Sequence, residues 1–252
     1  MKLILSPTKT MQTTPDGLPI KSLPKFLPQA ESLIAFLRTR SPEQLRKIWK
    51  TNDAISSKAR KQLASWQPDH GLTPAIAAFT GLQYRYLDVQ TIDRSRFDYL
   101  QEHVRLFSGL YGLLRPFDGI APYRLEMSAR LAGFFDGELA EFWQPYVSPW
   151  LNETSLIIDL ASAEYSRAFL PAKDTQVIKT RFLECRKNGD WFQQATHAKM
   201  ARGRMVRFLS DQAAETPETI KMFHELGYVL SPSKDTETIL FKKSASKSLP
   251  RV

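Results

Sequence analysis

The amino-acid sequence predicts one compact domain of mixed α/β, α+β-like class, in which helices surround a mixed sheet. Short apolar runs alternate with segments of helical periodicity, but too irregularly for a doubly wound fold. A chain of 252 residues with 42% hydrophobic residues is long and apolar enough to bury a sizeable core. We expect this domain to cover residues 1–243, and the basic, Ser-rich residues 244–252 to form a disordered tail.

The first third of the chain predicts one strand followed by helices. The apolar run from Lys2 to Leu5 predicts a buried strand that Pro7 ends, and a loop rich in Pro and Thr should follow it. Ser41 followed by Pro42 is typical of a helix start. Helical spacing of apolar residues then predicts a series of helices at 28–40, 42–50, 53–66 and 73–79.

The rest of the chain predicts two long helices and the strands that complete the sheet. Apolar residues at helical spacing predict helices over 93–107 and 198–212. A turn built on Asn188 and Gly189 predicts a hairpin between the strands on either side of it. Apolar runs bounded by turn signals predict strands at 155–160, 177–185, 191–195, 227–230 and 238–243.

Positive charge is concentrated in one segment of the chain. The formal net charge is +9, and residues 38–61 contain eight cations and two acids. On the predicted helix over 42–50, Arg46, Lys47 and Lys50 share one face. A basic block of this kind attracts polyanions such as nucleic acid, and the alternative is an ordinary solvated helix face.

The sequence lacks the signals of a membrane, secreted or metal-binding protein. No apolar run approaches the roughly eighteen residues of a spanning helix, and the start is too poor in apolar residues for a signal peptide. The single Cys185 allows no internal disulfide, and HExxH, CxxC, Walker and Rossmann motifs are absent. We therefore expect a cytoplasmic protein without a metal site, cofactor or membrane contact, and we favour a monomer.

Arg202 lies on the apolar side of the predicted helix near the C-terminal end, because apolar residues follow it by three, four and seven positions. A desolvated guanidinium is costly unless it is paired. We therefore expect beside it either an internal acid, such as Glu126 or Asp159, or an anionic ligand. Lys199 is close enough on the helix to share that partner, and Gly203 indicates the close approach of another backbone.

The segment IIDLASAEY places polar residues just after a predicted strand. Asp159, Ser162, Glu164 and Tyr165 follow the carboxyl end of that strand, where α/β folds commonly hold their ligands. One interpretation is therefore a binding or catalytic role. The other interpretation is local, since Ser162 can cap a helix and Glu164 is a favourable first-turn acid.

The segment LFSGLYGLLRPFDGIAPYRLEM, at 106–127, is dense in glycine, proline and charged residues. A turn between Gly109 and Gly112 can present backbone amides to a phosphate, and Arg115 can clamp the same or a neighbouring phosphate. The alternative for the glycines is a tight turn that places Tyr111 in the core. At the far end of the segment, Arg124 stands two residues before Glu126.

Six ordered motifs cover nearly the whole chain: LILSPTKT, AFTGLQYRYL, LFSGLYGLLRPFDGIAPYRLEM, LASAEYSRAF, HAKMARGRMVRFL and LGYVLSPSKDTETILFKK. Together they resemble the bacterial peroxide stress protein YaaA family. The resemblance implies a single-domain mixed α/β fold of the family's own type, with a positively charged cleft and a helix-hairpin-helix-like element. It also implies cytosolic protection against hydrogen peroxide by limiting free intracellular iron, and DNA binding.

The leading hypothesis is a cytosolic stress-response protein that binds duplex or distorted DNA through its phosphates, without sequence preference, and so limits iron-driven oxidative damage. In it, the turn between the two glycines is the helix-hairpin-helix-like element, and the basic residues supply the electrostatic attraction. The residues expected to contact phosphates are Gly109, Leu110, Tyr111, Gly112, Lys9, Arg46, Lys47, Lys50, Arg115, Arg124, Lys199 and Arg202.

Two other hypotheses remain open at this point. In the first, the protein is an enzyme acting on a small anionic or nucleotide-like substrate in the same cleft. The anion would be held by Lys9, Arg124 and Arg202, and the acid or base would be Glu126, Glu164 or Tyr165. In the second, hard carboxylates bind iron directly, the candidates being Asp118, Glu126, Asp159 and Glu164.

Overall fold

The structure is a computed structural model that describes residues 1–13 and 17–244. Its strands are β1 (Lys2–Leu5), β2 (Thr10–Met11), β3 (Thr73–Pro74), β4 (Phe79–Thr80), β5 (Val104–Ser108), β6 (Gly112–Leu114), β7 (Gly119–Ile120), β8 (Leu156–Asp159), β9 (Gln176–Cys185), β10 (Trp191–Phe192), β11 (Val229–Ser231) and β12 (Thr238–Lys243). Its helices are α1 (Leu27–Arg38), α2 (Pro42–Trp49), α3 (Asp53–Ser65), α4 (Ala75–Ala78), α5 (Leu82–Leu87), α6 (Phe97–His103), α7 (Leu139–Leu151), α8 (Ala163–Ser166), α9 (Ala195–Asp211) and α10 (Pro217–Lys221).

The main sheet of the described chain is mostly parallel. Its strand order is β11-β12-β9-β8-β1-β5-β6, with β10 also paired to β9. Strands β5, β1, β8, β9 and β12 run parallel to one another, whereas β6, β10 and β11 are antiparallel to their partners. This confirms the predicted single domain of mixed α/β class, with helices flanking the sheet.

Strand β1 lies at the centre of the sheet, and its position decides where the chain can form a site. Its neighbours β5 and β8 both follow it in sequence but lie on opposite sides of it. The connection after β1 therefore leads to one side of the sheet and the connection after β8 to the other, which leaves a crevice between them at the carboxyl end of β1. Open α/β sheets hold their ligands in such a crevice. Leu3, Ile4 and Leu5 are fully buried, because helices cover both faces of the sheet here.

Most of the predicted elements are confirmed. The strand at the N-terminus is β1, the helices at 28–40, 42–50 and 53–66 are α1, α2 and α3, and β9 and β10 form the expected antiparallel hairpin. Ser41 begins α2 as predicted: its hydroxyl accepts from the Gln44 amide at 3.3 Å, and the Gln44 side chain accepts from the Ser41 amide at 2.8 Å. This capping box fixes the start of the helix.

One predicted helix is wrong in its last four residues. The helix over 93–107 ends at His103, and Val104–Ser108 is strand β5, which is buried along its whole length. The apolar residues of Val104–Ser108 fit the periodicity of a helix as well as that of a strand. The segment is a strand because it pairs in parallel with β1. The two glycines that follow are consequently flanked by β5 and antiparallel β6, not by two helices. The helix-hairpin-helix-like element is therefore not at Gly109–Gly112.

Helix α7 is absent from the sequence-based expectations because it contains Pro145 and Pro149. Both prolines are exposed, whereas Trp143 and Trp150 on the same helix are buried against Phe26. The predicted tail falls outside the described residues apart from Ser244. None of the helices in the described ranges combines the length and the apolar composition needed to cross a membrane.

Candidate functional site

The segment Gly109–Gly112 is packed inside the protein. Leu110 and Tyr111 are 0% and 1% exposed, and both glycines are buried. The Tyr111 amide donates to the Ser108 hydroxyl at 2.9 Å, and the amides of Gly109 and Leu110 face the hydroxyl of Tyr123. These amides therefore have hydrogen-bond partners inside the core. Contrary to the expectation from the sequence, the segment does not present them to a phosphate.

Close packing explains why glycines occupy this turn. A Cβ added to Gly109 would overlap the backbone carbonyl of Leu125. Gly112 has a φ of +70° and stands against the indole ring of Trp143, whose Nε1 donates to the Gly109 carbonyl at 2.9 Å. The alternative stated for the glycine pair, a tight turn with Tyr111 in the core, is thus what the structure contains.

Arg115 lies at the opposite edge of the sheet from the carboxyl ends of the parallel strands. It follows β6, which runs back along β5, and its guanidinium lies 5.6 Å from the ring centre of Trp150. Arg105 on β5 faces the same ring at 5.1 Å, and its pKa is lowered to about 10, first by burial and then by Arg115. Arg115 therefore cannot clamp an anion held at the carboxyl edge.

Helices α2 and α3 form a compact helix pair in the basic segment. They pack against each other and are joined by a short turn in which Lys50 has a left-handed φ of +49°. The Asn52 side chain accepts from the Ile55 amide at 3.0 Å and so caps the start of α3. A helix pair joined by a tight turn therefore exists in the described chain, but at 42–65 and not at the glycine pair.

The exposed side of this helix pair is strongly basic. Leu45 and Trp49 on α2 and Leu63 on α3 are buried, whereas Ile55 at the start of α3 is exposed. Arg46 is exposed but pairs with Asp53 at 2.7 Å. Within the described residues, the exposed cationic side chains of the pair that form no salt bridge are Lys47, Lys50, Lys58, Arg60 and Lys61. We call these five residues the basic surface.

Not every cation of the basic segment is available to a ligand. The guanidinium of Arg38 donates to the carbonyls of Leu63, Ala64 and Trp66 at 3.2, 3.3 and 2.7 Å. These carbonyls lie at the C-terminal end of α3, where helix carbonyls lack partners within the helix. Arg38 therefore holds α3 against α1, and its guanidinium is already engaged in hydrogen bonds within the protein.

At the carboxyl edge of β1, Lys9, Arg124 and Glu126 come together as a cluster. One carboxylate oxygen of Glu126 lies 2.7 Å from the Lys9 ammonium, and the other accepts from Arg124 at 2.7 Å. Arg124 also donates to the Lys9 carbonyl at 3.1 Å. The sequence grouped Lys9 and Arg124 around a bound anion. In the structure they share the carboxylate of Glu126.

Glu164 and Tyr165 lie beside this cluster. Glu164 accepts from the hydroxyl of Ser128 at 2.9 Å and from its amide at 3.3 Å. Tyr165 is 8% exposed, and burial, together with Tyr123 and nearby carboxylates, raises its pKa well above the ordinary value. A phenol with a raised pKa keeps its proton at neutral pH, so of the two roles considered for Tyr165 the acid suits it better than the base.

Arg202 lies apart from that cluster, in a cleft next to Asp159. The cleft has a volume of about 610 Å³ and is lined by α8, the loop that follows it, β9 and α9. Burial lowers the pKa of Arg202 and raises that of Asp159, while each charge partly offsets the effect of burial on the other. Asp159 accepts from the Ala161 amide at 2.8 Å and from the Ser166 hydroxyl at 2.9 Å. Lys199 is exposed and does not line the cleft.

The partly buried guanidinium of Arg202 is incompletely paired. Its Nε atom is inaccessible to solvent and has no hydrogen-bond partner within the described residues, and no salt bridge joins it to Asp159. The internal acid expected from the sequence is therefore Asp159, but it acts on Arg202 only through its nearby charge and not through a salt bridge. The remaining nitrogens of the side chain are left for a group that enters the cleft.

A model of the family described as "Peroxide stress protein YaaA" matches residues 1–234 of the chain. The chain belongs to the peroxide stress protein YaaA family. Three relatives, each named "UPF0246 protein", are similar over almost their whole length. The one from Lactobacillus johnsonii is 46% identical over 248 residues, 96% of this chain and 98% of its own. Those from Lactobacillus delbrueckii subsp. bulgaricus and Agathobacter rectalis are 43% and 36% identical, each covering 97% of this chain and 100% of its own.

In this YaaA-family protein the four carboxylates considered as iron ligands do not come together: Glu126 and Glu164 lie near the Lys9 cluster, Asp159 lies in the Arg202 cleft, and Asp118 lies elsewhere. Asp118 accepts from Ser22 and from the Arg115 amide, whereas the other three have the partners described above. Over the described ranges, no group of three or more His, Cys, Asp or Glu side chains is arranged to hold a metal ion. The hypothesis that these carboxylates bind iron together is therefore corrected.

Two cleft residues of the YaaA-family protein were missed in the sequence. Lys179 and Arg181 alternate along β9 with the buried Ile178, Thr180 and Phe182, so both project from the strand into the cleft. The alternation of polar and apolar residues in VIKTRF was a visible signal. It did not reveal the cleft, because nothing in the strand itself shows which elements stand over this face.

Proposed function

We propose that this YaaA-family protein is a cytoplasmic stress-response protein that binds duplex or distorted DNA through the phosphates, using the basic surface of α2 and α3. By covering DNA, it limits the damage that iron and hydrogen peroxide cause. The observation that supports this proposal is the basic surface itself: five exposed cations on a capped helix pair, none of them in a salt bridge with another described residue. Nonspecific DNA binding requires this kind of spread positive charge and no base-reading side chain.

The family membership supports the stress-response part of the proposal, and the helix pair supports the DNA-binding part. A helix-hairpin-helix-like element needs two helices and a tight turn, and we propose that α2, α3 and the turn between them serve as that element. Because the buried faces of both helices hold the turn in place, the backbone that carries the cations loses little conformational freedom when DNA binds.

The proposal is tested by the dependence of DNA affinity on salt. A fluorescently labelled duplex of about 20 base pairs is titrated with protein between about 50 and 200 mM salt, and the affinity should fall steeply because bound counterions are released. Each lost phosphate contact reduces the slope of log affinity against log salt by about 0.9. The variant with Lys47→Gln, Lys58→Gln and Lys61→Gln should therefore lose up to about 3 from that slope.

A second triple variant serves as the matched control. Lys173, Lys187 and Lys234 are also exposed and form no salt bridge within the described residues, and they lie far from α2 and α3 in the sequence. Changing these three to Gln removes the same net charge. If both triple variants weaken DNA binding equally, overall charge is responsible and the basic surface is not the site. A wild-type affinity that does not change with salt would refute phosphate-based binding altogether.

A further inference from the structure

The cleft beside Arg202 differs in kind from the basic surface of α2 and α3. It is a concave space of about 610 Å³, within the roughly 300–1,000 Å³ range of sites that enclose small molecules. DNA binding through phosphates instead uses an extended exposed face. The DNA-binding proposal therefore leaves this cleft without a role.

The charges of the cleft favour an anion. Four cationic side chains line it, namely Arg167, Lys179, Arg181 and Arg202, against the carboxylates of Asp159 and Glu237. Arg167 is engaged by Glu138 at 2.9 Å, but the other three cations form no salt bridge within the described residues. With Glu138 counted against Arg167, four cations face three carboxylates, so the cleft keeps a net positive charge that favours an anion such as a phosphate monoester.

Arg202 and Lys179 both lie near the carboxylate of Asp159 in the cleft. Both lie close enough to that carboxylate to favour its charged form, although burial has the larger effect on it. The two oxygens of Asp159 are oriented by Ala161 and Ser166, so the carboxylate does not reach across to satisfy the arginine. The guanidinium of Arg202 forms no hydrogen bond within the described residues, so an oxyanion that enters the cleft meets N–H donors without a protein partner.

The remaining walls of the cleft suit an organic body attached to that anion. Phe169, Pro171 and Val177 contribute apolar surface, and Gln193 supplies an amide that can donate or accept. We infer that this cleft binds a small phosphate monoester, whose phosphate contacts Arg202 and Lys179 and whose organic part packs against Phe169 and Val177. Arg202 is the residue of choice for the phosphate because its planar guanidinium matches two phosphate oxygens at once.

Calorimetric titration with three probes tests the inference: inorganic phosphate, adenosine 5′-monophosphate and adenosine. The monophosphate should bind more tightly than phosphate, and adenosine should bind at least about 10-fold more weakly than the monophosphate. Arg202→Met should weaken monophosphate binding by about 10- to 100-fold, and Arg202→Lys should weaken it less. Arg94→Met, at an exposed site without a salt bridge in the described chain, removes the same charge and should leave binding unchanged.

Lys179→Met is the second test, because Lys179 is exposed on its strand and its loss should not affect folding. It should also weaken binding of the monophosphate. Absence of binding by both phosphate-containing probes up to about 10 mM would overturn the inference, and so would equal binding of adenosine and its monophosphate. Displacement of the monophosphate by a duplex without terminal phosphates would overturn it too, by making the cleft part of the DNA site. Loss of DNA binding in the α2 and α3 variant bears on the other proposal alone.

Discussion

Gly203 is the residue at which α9 and α5 approach most closely. A Cβ added there would overlap the backbone carbonyl of Gln83, so neither helix can yield by rotating a side chain. Gly203→Ala should therefore lower the free energy of unfolding by about 1–3 kcal/mol, although alanine is the better helix former by about 1 kcal/mol. Urea denaturation measures the change. Lys199→Ala, at an exposed position on the same helix, is the control and should stay within about 0.5 kcal/mol. A Gly203→Ala protein that is as stable as the wild type would contradict the close approach.

His103 should make the stability of the protein depend on pH. Its Nδ1 lies 2.9 Å from the Met1 carbonyl and its ring stacks on Tyr99. Burial lowers its pKa below the ordinary value of 6.5, and Lys2 adds to that effect. As the pH falls, the unfolded chain therefore takes up the proton first, and stability that is present above about pH 6.5 is lost as the pH passes through the folded-state value.

The matched variant for this prediction is His103→Gln, which keeps a hydrogen-bond donor but does not titrate. Between about pH 7.5 and pH 5, the free energy of unfolding should fall more in the wild type than in the variant. Denaturation curves recorded at several pH values give both slopes. Parallel pH profiles would show that His103 is not the group responsible, and a wild type that gains stability relative to the variant would reverse the sign.

At the scale of an element, α3 depends on a cation that belongs to another helix. Arg38 on α1 donates to three carbonyls at the end of α3, whereas Lys61 on α3 points to solvent. Both carry one positive charge. Arg38→Met should lower the free energy of unfolding by about 1–2 kcal/mol, and Lys61→Met should change it by less than about 0.5 kcal/mol. The same two proteins, titrated with DNA, should show the larger loss of affinity for Lys61→Met. The opposite ranking in either measurement would contradict these roles.

The elements that the sequence predicts correctly are those whose signals are local. The capping box at Ser41 and the turn at Gly189 each specify their own backbone conformation, so α2 and the hairpin of β9 and β10 follow from a few residues. Strand β5 and helix α7 were not predicted because their conformation depends on partners. Val104 and its neighbours become a strand by pairing with β1, and α7 tolerates Pro145 because its tryptophans are buried.

At the scale of the whole molecule, the sequence predicts which side of a helix a candidate residue occupies, but not which distant residues the fold brings beside it. The buried position of Arg202 follows from helical geometry, which fixes the side of a helix without reference to the rest of the fold. The partners of Arg202 could not be predicted, because Asp159 and Lys179 reach it only through the order of strands in the sheet. For the same reason, the sequence could not separate the Glu126 cluster from the Arg202 cleft, or show that the glycine pair is buried.

The two proposed sites make opposite predictions for cells under peroxide stress. A bacterial strain lacking its own family member is supplied with the wild type, the Lys47, Lys58 and Lys61 triple variant, or Arg202→Met, and survival after hydrogen peroxide is measured. If protection requires DNA binding through counterion release, the triple variant should lose it and the control triple at Lys173, Lys187 and Lys234 should retain it. Arg202→Met should then protect as the wild type does, because changes at independent sites do not affect one another. Loss of protection in Arg202→Met alone would instead place the stress function in the cleft, and DNA binding by the basic surface would not explain it.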